Sequence, residues 1–220
     1  MLAAAAGGAQ DRHGPEHNSY ANPSAVIAAE IALARDIRAR GEGTALAAAA
    51  APDAVLFAPA LVWAGAWLKG HPQPATTLRR QPYAVWSSCD GSLVVSRGAW
   101  QRGAATGWFM TIWRREPKGG YKWVLNQSGA LASAQPVPDM LTAMVADCPE
   151  LAQRGGGMPG KAKEPVKARD LPALDPMLRK ASARDGSLAW EASVAADGAQ
   201  KLTVTWKKDG AEAVLPSGGR

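Results

Sequence analysis

The chain has 220 residues, 47% of them hydrophobic, which is enough to bury one core of ordinary size and carry an appendage. Its formal charge of +6 and pI near 9.5 come from basic residues spread thinly, with no Lys/Arg cluster flanked by exposed aromatics, so a nucleic-acid partner is not expected. No apolar run reaches the roughly eighteen residues of a membrane-spanning helix, so no membrane span is expected.

Residues 1–21 open on Met1-Leu2-Ala3-Ala4-Ala5-Ala6-Gly7-Gly8. They read either as a signal-peptide remnant lacking its basic and long apolar parts, or as a disordered Ala/Gly leader. The first reading favours a periplasmic or secreted protein and the second a cytoplasmic one. The two cysteines, Cys89 and Cys148, fit one disulfide in an oxidising compartment or two inert thiols.

The main domain is expected over residues 22–135. Asn22-Pro23 is a helix start, with Asn as N-cap and Pro at the first helical position. At 100° per residue Val26, Ile27, Ile31, Leu33, Ala34 and Ile37 form one apolar stripe, and the helix ends at Gly41 or Gly43. A short Ala-rich helix, Thr44 to Ala50, precedes a Pro52-Asp53 turn and a strand at Val55-Leu56-Phe57. A third helix runs from Trp63 to Lys69, bounded by Gly70 and Pro72. The period then changes to two, giving strands at Thr77–Ser87, Leu93–Trp100, Trp108–Arg115 and Tyr121–Ser128, joined by tight turns that make neighbours antiparallel. In the last strand, alternation places Tyr121, Trp123, Leu125 and Gln127 on one face. Seven of the nine Trp lie between Trp63 and Trp123, so the main core is expected there. Residues 136–184 read as a helix at Met140–Asp147 and a Gly/Pro/Lys-rich linker. Residues 185–216 read as a three-strand meander (Ser187–Val194, Lys201–Lys207, Ala211–Leu215) that packs on the main domain or on a partner.

Several of these segments resemble the NTF2-like superfamily, in particular its SnoaL-like and DUF4440-type branch. They are Ala29-Glu30 with Ala32-Leu33-Ala34, the run Ala51-Pro52-Asp53-Ala54-Val55-Leu56-Phe57-Ala58-Pro59, Gly107-Trp108-Phe109-Met110-Thr111-Ile112-Trp113-Arg114-Arg115, and Gly120-Tyr121-Lys122-Trp123-Val124-Leu125-Asn126. The likeness covers about residues 24–129. It implies an α+β fold, a cone of curved antiparallel sheet wrapped over N-terminal helices, here followed by the small C-terminal β-meander. It also implies a homodimer and a pocket inside the cone. Members of the superfamily include isomerases, dehydratases, epoxide hydrolases and non-enzymatic binding domains, so the fold does not name an activity. The Asp-with-Tyr, Tyr-Asp-His and Asp-Arg-Asp sets of its enzymes are not assembled at matching positions.

Glu30 falls inside the apolar stripe, so its carboxylate faces the core. It is either a structural acid bonded to Arg38, to a sheet residue or to a backbone N–H, or a base with a raised pKa in an apolar pocket. His71, between Gly70 and Pro72, is an exposed turn residue or a base near a pocket mouth. Arg79 and Arg80 are adjacent in a strand, so one points inward, where it can pair with Glu30 or bind an anion. Trp63, Trp67, Trp113 and Trp123, with Arg80 and Gln127, are the candidate ligand-binding wall, although indoles at these positions also serve as plain core. With His13 and His17 in the leader, no metal site is expected, and no phosphate loop or other cofactor motif is present.

The leading expectation is therefore a non-enzymatic domain that binds a small apolar molecule and forms a homodimer through its sheet. The alternatives are a proton-transfer enzyme using Glu30 or His71, and a periplasmic interaction module docking through the meander. Deleting everything after Arg154 separates the first from the last, because a self-sufficient binding domain survives that cut.

Overall fold

A computed structural model describes residues 21–71, 77–136, 138–148 and 167–215, which form a mixed α+β structure. The expected leader and most of the expected linker lie outside the described residues.

Helix α1 (Pro23–Arg40) begins as its cap signal dictates: Asn22 Oδ1 accepts the Ala25 N–H at 3.2 Å and Pro23 occupies the first turn. It ends at Gly41, whose φ of 85° is open to glycine and costly for other residues. Val26, Glu30, Leu33, Ala34 and Ile37 are its buried residues. Ile31, expected on the same stripe, is 60% exposed, because it sits about 100° round the helix from Glu30, the centre of the buried arc. Helix α2 (Glu42–Ala49) follows directly, and so includes Glu42 and Gly43.

Strand β1 (Ala50–Ala58) runs through Pro52-Asp53, which was expected to turn. Pro52 is accommodated because β1 pairs with its parallel neighbour at Ala50 and again from Val55, with a register shift between. A tight return gives β2 (Ala60–Trp63), an unforeseen strand that precedes α3 (Ala64–Gly70). Strands β3 (Arg79–Ser87), β4 (Leu93–Arg102), β5 (Ala105–Arg115) and β6 (Tyr121–Leu131) form the expected antiparallel run.

The segment expected as a helix over Met140–Asp147 is instead the edge strand β7 (Thr142–Val145), parallel to β3, with Ala84 opposite Thr142 and Ser87 opposite Val145. Pairing to a strand some 58 residues earlier overrides its weak helical pattern. Beside it, Cys148 is disulfide-bonded to Cys89, so the pairing left open by the sequence exists. Among the described residues the large curved sheet has the order β2-β1-β6-β5-β4-β3-β7 and is open at both edges.

The C-terminal meander has four strands rather than three, because β8 (Leu178–Ser182) pairs with β9 (Leu188–Val194) ahead of β10 (Gln200–Lys208) and β11 (Ala211–Leu215). It packs on the main sheet. Cys89 N–H donates to Ser187 Oγ at 2.9 Å, Asp90 N–H to Asp185 Oδ2 at 2.8 Å, and Leu61 N–H to the Pro176 carbonyl at 2.9 Å. Val95, Met110 and Ile112, on the sheet face away from α1, share one apolar core with Leu188, Trp190 and Val204.

Candidate functional site

Two polar constellations lie on the helix side of the main sheet. The first is centred on Glu30, which is fully buried. Ser96 Oγ donates to Glu30 Oε1 at 2.6 Å and Trp113 Nε1 to the same oxygen at 3.2 Å, while Arg80 Nη2 reaches Oε2 at 3.4 Å. Trp113 Nε1 also lies 2.9 Å from Ser96 Oγ, and Arg80 Nη2 donates to Thr111 Oγ1 at 3.0 Å. Of the adjacent arginines Arg80 is the buried one and Arg79 the exposed one. Glu30 is thus held by sheet side chains, both its oxygens accepting hydrogen bonds as a carboxylate in a low-dielectric interior requires.

The second constellation is a cavity of about 240 Å³ where α2 and α3 meet β1, β4 and β6. Leu46, Leu56, Phe57, Trp67, Leu68 and Trp123 supply apolar wall. Trp123 is fixed by its Nε1–H donating to the Leu46 carbonyl at 2.9 Å. Polar wall comes from Glu42, Arg80, Arg102, Asn126 and Gln127, and the C-terminal sheet contributes Gln200. Gln200 Nε2 donates to the Pro59 carbonyl at 2.7 Å, which ties that sheet to the β1–β2 turn.

Arg102 and Glu42 form an ion pair. Burial raises the Glu42 carboxyl pKa, the charges of Arg102 and Arg80 lower it, and burial prevails. Among the described residues, Arg80 Nε, Trp100 Nε1, Arg102 Nε, Asn126 Nδ2 and Gln127 Oε1 are buried with no protein hydrogen-bond partner, and all five residues line this cavity. Each such atom costs about 1–3 kcal/mol unless a bound molecule or water satisfies it. A second, more open cavity of about 560 Å³ shares Arg80 and Trp100 and is flanked by Arg38 and Arg79.

The candidates named from sequence are divided by this geometry. Trp67, Arg80, Trp123 and Gln127 line the 240 Å³ cavity. Glu30 and Trp113 do not, since they belong to the buried cluster behind Arg80. Trp63 stands under the Arg179 guanidinium, 5.1 Å from its ring centroid, at the contact with the C-terminal sheet. His71 is exposed, stacks on Trp67 at a centroid separation of 4.4 Å, and donates from Nδ1 to the Trp67 carbonyl at 2.9 Å. Trp123 and Gln127, expected on one face with Leu125, are not so simply arranged. Trp113 pairs with Trp123 and Ile112 with Leu125, so the extra residue Val124 forms a bulge that puts Trp123 and Leu125 on opposite faces. Glu42, Arg102, Asn126 and Gln200 were missed. Arg102 and Asn126 are ordinary strand alternations, and only the proximity of Glu42 to the Gly41 break carried any signal.

No family model matches the chain, and no curated protein matches it. Among solved structures, it is similar to a protein of unknown function from the DUF3225 family of Pectobacterium atrosepticum SCRI1043, at 15% identity and a TM-score of 0.39, covering 50% of this chain and 91% of that one. A likeness at that level assigns no role to any residue here.

Proposed function

We propose that the chain is an NTF2-like domain whose curved sheet and helices form a cone, and that it binds a small molecule in the 240 Å³ cavity. One observation carries this reading: a cavity of about 240 Å³ has apolar walls from Leu46, Leu56, Trp67 and Trp123 and, beside them, the polar side chains of Arg80, Arg102 and Asn126. The proposed ligand has an apolar body between Trp67, Leu56 and Trp123 and a polar end at Arg102 and Asn126. At ~30 Å³ per water the cavity has room for on the order of eight waters, a space suited to a compact molecule.

Native mass spectrometry of protein purified directly from its source tests this. A small-molecule adduct is expected, and it is expected to vanish in the cavity-filling variant Leu56→Trp. Protein that flies without an adduct, or an adduct that persists in the filled variant, sinks the reading.

The proposed homodimer would use the sheet edges β2 and β7, since the C-terminal sheet packs on the face away from α1. The Cys89–Cys148 bond favours an oxidising compartment as the place where the protein works. A second reading, proton transfer, is favoured by the Glu42 carboxyl, whose pKa burial raises beside a cavity. Glu30 has its oxygens occupied by three donors and is a poorer candidate base.

A further inference from the structure

The charged wall of the cavity is rich in donors: the Arg80 and Arg102 guanidiniums line it, and a guanidinium donates hydrogen bonds and accepts none. A group that only accepts, and can accept several hydrogen bonds, complements such a wall; an ionised carboxylate is the common organic group of that kind.

Charge then has to be accounted for. Among the described residues lining the cavity, the charged or titratable groups are Glu42 on α2, Arg80 on β3 and Arg102 on β4, with Glu30 of α1 behind Arg80. Each arginine already has one carboxylate partner, so a further anion cannot enter without leaving one negative charge in excess. The two partners differ in how firmly they are held. Glu30 is fully buried and fixed by Ser96 and Trp113 as well as by Arg80. Glu42 stands in the first turn of an eight-residue helix, its side chain is 16% exposed, and Arg102 is the hydrogen-bond partner of its carboxylate.

We propose, resting on the binding reading above, that the cavity takes an organic carboxylate whose oxygens replace those of Glu42 on Arg102, and that Glu42 takes up one proton from solvent as it is displaced. The exchange conserves charge within the site: one carboxylate and one proton enter, and one buried carboxylate becomes a neutral carboxylic acid. Burial holds the Glu42 carboxyl pKa above its usual value against the charges of Arg102 and Arg80, which lowers the cost of neutralising it. In the unliganded protein Glu42 stands in for the ligand's own head group.

The probes are 3-phenylpropionate and 1-naphthylacetate, each paired with its primary amide, titrated by calorimetry against the full chain at about pH 5 and about pH 8 in two buffers of different ionisation heat. The carboxylates are expected to bind with uptake of one proton, and their affinity to fall about tenfold per pH unit once the pH exceeds the Glu42 pKa. The amides are expected to bind more weakly and without pH dependence. Glu42→Gln is expected to abolish proton uptake and to strengthen carboxylate binding at about pH 8 by about tenfold or more. Arg102→Met should remove the preference for carboxylate over amide while leaving the protein folded, as far-UV circular dichroism would verify. Amides that bind as well as the acids, or carboxylate binding insensitive to both pH and Glu42→Gln, overturn the proposal and leave the binding reading standing. No binding of any of the four probes, together with a source-purified protein free of adduct, removes both.

Discussion

The Arg80 guanidinium lies 3.7 Å above the centroid of the Phe109 ring, so one face of a buried cation is covered by an aromatic π surface. Its Nη2 meanwhile reaches Thr111 and Glu30. Phe109 can lie there because its cross-strand partner is Gly98. Gly98, Phe109, Arg80 and Glu30 thus form a stack from sheet backbone to helix, and its arginine borders the cavity.

Breaking the ion pair from the helix side leaves Arg80 buried without its counter-charge. Removing one partner of such a pair costs about 3–5 kcal/mol. Glu30→Ala is therefore expected to lower the midpoint of thermal unfolding by on the order of 10 °C in a chain of this size. Glu30→Gln keeps the shape and one acceptor, and should lose less. Ligand binding by whatever folded protein remains is expected to survive, because Glu30 does not line the cavity. A Glu30→Gln protein of normal melting temperature that had lost function would instead make this residue chemical.

The same stack separates what could be read from the chain and what could not. The Asn22-Pro23 start of α1, the inward acid at Glu30 and the inward member of the Arg79-Arg80 pair are consequences of local capping and of fixed periods, and each follows from a few neighbouring residues. Strands β2, β7 and β8 have four or five residues each, too few to show a period, and their existence depends on partners elsewhere in the chain. The Val124 bulge is likewise a property of two strands together. The cavity was the least legible feature, because Glu42, Arg102, Asn126 and Gln200 come from four separate elements and none carries a motif.

Two glycines of the sheet should respond differently to the same added methyl group. A Cβ at Gly98 would collide with both the Phe109 ring and the backbone carbonyl of Gln81, and backbone cannot step aside. Gly98→Ala is expected to cost about 3 kcal/mol, the upper part of the overpacking range, in a urea-unfolding measurement. The three atoms nearest a Cβ at Gly129 all belong to the Trp108 indole, with Nε1 at 2.7 Å, and that half-buried side chain can rotate. Gly129→Ala should cost about 1 kcal/mol. Equal losses at the two positions would contradict the packing described.

The Cys89–Cys148 bond closes a chain segment with a sequence separation of 59 and pins β7 to the end of β3. A loop of that length corresponds to about 4 kcal/mol of denatured-state entropy in the chain-entropy treatment. Cys89→Ser with Cys148→Ser is expected to lower stability by about 2–4 kcal/mol and to leave the far-UV spectrum nearly unchanged. Reducing agent should produce the same shift in the parent and none in the double variant. A parent protein indifferent to reductant would show that the bond contributes nothing to folding.

Asp53 supplies a pH dependence of known sign. Burial pushes its carboxyl pKa up, but Arg114 grips it through Nη1 at 2.9 Å and Nη2 at 2.7 Å, Arg179 of the C-terminal sheet stands 3.6 Å away, and the net displacement is downward. A carboxyl whose folded pKa lies below its unfolded value stabilises the fold fully above the unfolded value, about 3.9, and loses that contribution as pH falls through the folded one. Asp53→Asn should therefore melt below the parent by a constant margin from neutral pH to about pH 5, and the margin should shrink steadily below about pH 4. Because Arg179 contributes to the same carboxylate from the second sheet, Arg179→Met is expected to reproduce part of that margin and part of its pH dependence. A margin that widened on acidification would mean that Asp53 is held protonated, and that the two sheets are not joined through its charge.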